Sequence, residues 1–152
     1  MSVLKQKEQG TAVTLLSTEL NSVPNNTMSS TSSAFTNTQG TSNWDGYQRG
    51  KLELYLATYS GTPTAGTGFS VWFLKTLDGT NYEEGVAGNT PARRPDVVLP
   101  LRALASGPQR VTVECFVPVG TIKVIAKNDG TGLTFAASGN TLKLRSEEHT
   151  SE

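Results

Sequence analysis

From Gly50 onward the apolar residues recur at every second position. In KLELYLATY, Leu52, Leu54 and Leu56 point to one face while Glu53, Tyr55 and Ala57 point to the other. GFSVWFLKT repeats the pattern with Phe69, Val71 and Phe73. Trp72 and Leu74 lie opposite, which predicts a strand covered on both faces, either central in its sheet or at a subunit contact. DVVLPLRAL alternates Val97, Leu99 and Leu101, and Pro100 removes a ladder donor, as at an edge or a bulge. QRVTVECFV sets Val111, Val113 and Cys115 against Arg110, Thr112 and Glu114. TIKVIAKND alternates Ile122, Val124 and Ala126 against Lys123 and Lys127, and TLKLR supplies Leu142 and Leu144.

Turn signals separate most of these strands: Gly61 to Gly66, Asp78-Gly79, Gly107-Pro108, Pro118 to Gly120, Asp129-Gly130 and Gly139-Asn140. A further short strand is predicted around Gly132 to Ala136. One-sided alternation favours antiparallel sheets with one buried and one wet face. The fold class is therefore all-β, an antiparallel β-sandwich of jelly-roll or immunoglobulin-like type over residues 49–144. Its predicted core holds Leu52, Leu54, Leu56, Phe69, Val71, Phe73, Val111, Val113, Ile122 and Val124.

Residues 1–48 read as an N-terminal segment and polar arm that pack on this domain. Val13, Leu16, Leu20 and Val23 fall near helical spacing before Pro24, which predicts a short helix; a strand through Thr11 to Ser17 is the competing reading. The run NNTMSSTSSAFTNTQGTSN buries little by itself. It is either disordered alone or an extended arm that orders against a neighbour, with one strand at Ala34-Phe35-Thr36.

Composition narrows the function. Thirteen basic and thirteen acidic residues cancel, so no net field draws the 152-residue chain toward nucleic acid or an anionic membrane. Neither a signal-peptide core nor a membrane-spanning run is present in the sequence. Cys115 is the single cysteine, which removes internal disulfides and cysteine-based zinc sites; its place in the apolar phase predicts a buried thiol.

The closing residues RSEEHTSE, Arg145 to Glu152, form a polar run with no apolar period. They resemble the translation of a short-read sequencing adapter over the whole segment in one frame, which marks 145–152 as a non-native tail. A naturally acidic tail is the other reading. The only histidine, His149, lies inside it. Without that imidazole, a Ser-His-Asp or Cys-His arrangement has no base.

The remaining candidate sites each carry a plain alternative. Asp78, Asn81, Glu83 and Glu84 in FLKTLDGTNYEEG offer oxygens to calcium, but the spacing does not fit an EF-hand and Asp78-Gly79 is a strong turn signal. The turn reading prevails. Glu53 and Glu114 are a conceivable glycosidase pair, although both occupy the polar phase of a strand. GTPTAGTG lacks the Lys-Ser/Thr ending of a phosphate loop. In EEGVAGNTPARRPD, Pro91 and Pro95 bracket Arg93 and Arg94, which suit carboxylates on another chain or, equally, acids of their own loop. In NWDGY, Trp44 and Tyr47 suit an interface or a sugar ring; a lid over one end of the sandwich is the plainer reading.

TLDGTNYEEG, then TPARRPDVVLPLRA, then GPQRVTVECFVPVGTIKVIAKNDGTG together resemble small β-rich virion proteins of tailed bacteriophages, over roughly Gly50 to Leu144. The resemblance implies a capsid cement or decoration protein with no catalytic role and no cofactor. It would bind the phage major capsid protein, and itself as a homo-oligomer, on the capsid surface of a virion assembled in the host cytoplasm. A tail- or fibre-associated protein or a carbohydrate-binding adhesin module is the alternative.

Overall fold

The computed structural model describes residues 5–6, 12–37, 49–83, 89–146 and 149–150. The strands are β1 (Lys5–Gln6), β2 (Val13–Leu16), β3 (Thr27–Met28), β4 (Phe35–Asn37), β5 (Arg49–Leu56), β6 (Gly68–Lys75), β7 (Val97–Pro100), β8 (Gln109–Phe116), β9 (Gly120–Asp129), β10 (Thr141–Ser146) and β11 (His149–Thr150). One sheet has the order β2-β10-β5-β8. A second runs β3-β9-β6-β7, with β4 also on β9, and β1 and β11 form a separate two-stranded sheet. Strands β3 and β4 lie end to end along β9, opposite Asn128–Lys127 and Ile122–Gly120. All pairings are antiparallel.

With β3 and β4 sharing one position, each of the two larger sheets has four strand positions. Successive strands change sheet at every step except β6 to β7. That double Greek-key path is the jelly roll. An immunoglobulin-type sandwich keeps more of its successive strands in one sheet.

The inner faces of the two sheets meet in one core. Leu52, Leu54 and Leu56 of β5 lie against Phe69, Val71 and Phe73 of β6, Ile122 and Val124 of β9, and Leu142 of β10. All of these are essentially inaccessible. Phe69 also meets Phe135 with ring centroids 5.9 Å apart, tilted. A second cluster covers the outer face of β6: Trp72 and Leu74 are buried with Met28 and Ile125, and Tyr82 packs on them. Strand β6 therefore sits centrally between β9 and β7, the first of its two predicted settings. Strand β7, with Pro100, is an edge.

Three expectations need correction. Residues 13–20 form no α-helix; β2 is followed by one 3-10 turn, Thr18–Leu20. Leu16, Leu20 and Val23 are buried all the same, one from the strand, one from the turn and one from the following loop. Gly132 to Ala136 is not a strand. Its carbonyls also serve side chains, Leu133 O accepting from Asn128 Nδ2 at 2.8 Å and Ala136 O from Asn140 Nδ2 at 2.8 Å, while Ala136 O takes the Ser22 N–H at 3.0 Å as well. Finally, Val111, Val113 and Cys115 face the core but are only half-buried, because β8 is the last strand of its sheet.

The described part of the polar arm, 25–37, is not free. Between β3 and β4 the N–H of Ser29 donates to Ala126 O (2.7 Å) and that of Ser32 to Val124 O (2.9 Å). Arg145 and Ser146, beyond the predicted domain end, continue β10 opposite Lys51 and Gly50.

Candidate functional site

The end of the sandwich where β6 and β8 finish and β9 begins carries the most unusual surface. Beyond Lys75 the chain turns through Thr76 to Tyr82, closed by an antiparallel bridge between those two residues. Gly79 takes φ 78°, which the turn requires and most side chains resist. The Asp78 carboxylate accepts from the N–H groups of Thr80 (2.8 Å) and Asn81 (2.7 Å), from the Asn81 side-chain amide (2.7 Å) and from the Thr76 hydroxyl (3.1 Å). Those donors, the Asn81 N–H foremost, hold its pKa far below the usual carboxylate range. Asp78 is a staple for the turn. Glu84 lies outside the described residues, and among those described no three of His, Cys, Asp or Glu gather to hold a metal. On this stapled turn Leu77 projects fully into solvent.

Behind the turn, Arg93 ties the long loop to β6. Its guanidinium pairs with Glu83 (2.8 Å) and Asp96 (2.8 Å) and donates to Phe73 O at 2.7 Å. The hydrogen bond to Arg93 lowers the Glu83 pKa, and that to Glu83 raises the Arg93 pKa. Asp96 in turn accepts the Phe73 N–H at 2.7 Å, and Trp72 Nε1 donates to Arg93 O at 3.0 Å. Arg93 is thus engaged by acids of its own loop, whereas Arg94 is exposed. Trp44 and Tyr47 lie outside the described residues.

Beside this clamp is a shallow groove of about 320 Å³ lined by Lys75, Asp96, Phe116, Val117, Pro118 and Val119. Phe116 is 74% exposed and Val119 46%. A phenylalanine so exposed is unusual, because each aromatic side chain carries a large apolar surface that folding usually buries. Sequence reading overlooked both Leu77 and Phe116. A signal for Phe116 existed: it breaks the polar phase of β8, following Arg110, Thr112 and Glu114 on the outer face.

The other chemical candidates are spoken for. Glu53 pairs with Arg110 at 2.6 Å and Glu114 with Arg49 at 3.9 Å, both on the outer face. Burial, and after it the charge of Asp96, pushes the Cys115 thiol up to about 11, which leaves almost no thiolate at neutral pH. Among the described residues no helix is long and apolar enough to cross a membrane. Compared with protein-family models, curated proteins and solved structures, the chain has no significant match in any of the three.

Proposed function

We propose that this chain is a virion structural protein of a tailed phage, a decoration protein that binds the major capsid protein lattice and reinforces contacts between its subunits. The observation that carries the reading is the apolar end of the sandwich, where Leu77 stands fully exposed on a stapled turn and Phe116 and Val119 flank a groove. Exposed apolar side chains grouped on one end suit contact with another protein. Rigidity matters as much as polarity, since a preformed turn loses little conformational freedom on docking. The jelly roll adds a weaker support, because capsid proteins use this architecture; lectins use it too.

On this reading the chain acts by occupancy of a repeating lattice. Many copies on one shell make a modest single contact effective. The described arm, 25–37, belongs to the domain's own sheet, so the contact falls on the apolar end.

The test is direct. Mass spectrometry of purified particles should find the chain in a fixed ratio to the major capsid protein, in heads separated from tails. Leu77→Ser combined with Phe116→Ser should lower that ratio while the isolated domain melts as before. Recovery only with tails would move the protein to the alternative location. Particles lacking it that resist heat and low ionic strength as well as wild type would exclude the reinforcing role.

A further inference from the structure

We propose that the outer edge of β8 is a self-association seam, at which two copies of this chain join antiparallel, β8 to β8, about a two-fold axis at Thr112. This inference does not depend on the capsid reading.

The four edges of the two larger sheets differ in how they are protected. Strand β7 has four residues and ends in Pro100. Strand β2 also has four, and its pairing with β10 carries a register shift. The β3/β4 edge is two short pieces. Strand β8 has eight residues, no proline and an unbroken register with β5 from Gln109 to Phe116. Among the described residues β5 is the only strand that hydrogen-bonds to it. Half its backbone donors and acceptors therefore point sideways out of the sheet. Long, regular, uncapped edges are templates for another strand, and proteins that stay monomeric usually blunt them. The core beneath this edge is also incompletely covered. Val111 and Val113 are half-buried, whereas Leu54 and Leu52, their partners on β5, are fully buried.

The sequence of the strand says what should cover it. Arg110-Val111-Thr112-Val113-Glu114 has the same pattern in both directions, apart from a reversal of charge. In an antiparallel pair centred on Thr112, Arg110 of each copy stands opposite Glu114 of the other. Val111 stands opposite Val113 twice, and Thr112 faces its own counterpart. Directly opposite residues project to the same side of the sheet. The two Arg–Glu pairs and the Thr–Thr pair therefore lie on the outer face. The four valines lie on the inner face, where each closes over the half-exposed valine of its neighbour. One seam would satisfy the free backbone, the open core and the charges together, and the same patch on both partners is what a two-fold dimer requires. The geometry also leaves the existing ion pairs in place. Arg110 reaches Glu53 through one nitrogen and lies 4.8 Å over the Tyr55 ring, so other guanidinium donors remain for a second carboxylate.

The experiment exploits the charge reversal. Sedimentation of the full chain across a range of concentrations should give a concentration-dependent dimer. Arg110→Glu alone and Glu114→Arg alone should each weaken it by about tenfold, because both then oppose like charges at two positions. An equimolar mixture of the two variants should restore association, since every opposite position in the mixed pair carries one acid and one base. In a Cys115→Ser background, Thr112→Cys should form an intermolecular disulfide on mild oxidation, and Arg110→Cys should not, because its counterpart lies several residues away along the seam. A wild type that stays monomeric up to its solubility limit would overturn the proposal. So would single variants that dimerise as well as wild type, a mixture that stays monomeric, or cross-linking of the two cysteine variants to the same extent.

Discussion

The hydroxyl of Ser32 accepts the N–H of Val124 at 2.8 Å while the N–H of Ser32 donates to the carbonyl of Val124 at 2.9 Å. Ser29 does the same with Ala126, at 3.1 and 2.7 Å. Each hydroxyl passes its own proton to the next carbonyl, Ser30 O or Ser33 O, at 2.8 Å. A side-chain oxygen thus stands in for a missing strand carbonyl, and β9 keeps its ladder where β3 and β4 leave a gap. Replacing Ser32 by Ala would strand the Val124 N–H in the interior, a loss of about 1–3 kcal/mol. Urea unfolding of Ser32→Ala should show it, and amide exchange should quicken at Val124 more than at Leu54.

Leu54 is fully buried between its cross-strand partners Leu142 and Val111 and faces the opposite sheet. Leu54→Ala removes packing that cannot easily collapse, at a cost of about 2–5 kcal/mol. An unchanged urea midpoint would mean that this side chain lies outside the core.

The two adjacent arginines should behave differently. Arg93→Ala breaks two ion pairs and a bond to Phe73 O, and a stability loss of about 1–2 kcal/mol is expected for so partly exposed a site. Arg94→Ala should leave the melting temperature unchanged. Thermal denaturation of the two single variants separates them, and equal shifts would contradict the clamp.

Acid should reach the Asp78 turn late. The folded carboxyl titrates below its unfolded counterpart, so its contribution is complete above the unfolded pKa and fades as pH falls through the folded one. Wild type should melt above Asp78→Ala at neutral pH, and the two curves should converge in strong acid. Curves that stay parallel down to that range would show that the charge of Asp78 does not hold the turn.

Much of the fold was legible because one-sided burial leaves a period of two in the sequence. Leu52, Leu54 and Leu56 announce β5 without help from any other strand. In the N-terminal segment the helix is wrong and the competing strand, found at Val13–Leu16, is right, because apolar spacing does not specify how the chain travels between buried positions. A strand, a 3-10 turn and a loop bury Leu16, Leu20 and Val23 as well as one helix would. Ser29 and Ser32 looked like solvated residues, since nothing local reveals that a hydroxyl will face an unpaired N–H of β9, more than ninety residues away. At the site, the acids flanking Arg93 were visible in its own loop. Leu77 was hidden by the strength of the turn signal that follows it.

The jelly-roll path also sets the order in which the molecule can be made. Among the described residues, strand β2 finds its neighbour only in β10, and β3 and β4 find theirs only in β9. Nearly every pairing must close a long loop before any contact rewards it, which places the chain among slow, millisecond-to-second folders. On a ribosome the first strands emerge with nothing to pair against. The sheet that holds β2 cannot be completed until Thr141 to Ser146 has left the exit tunnel, so β2 must wait, unpaired, for a strand made more than a hundred residues later.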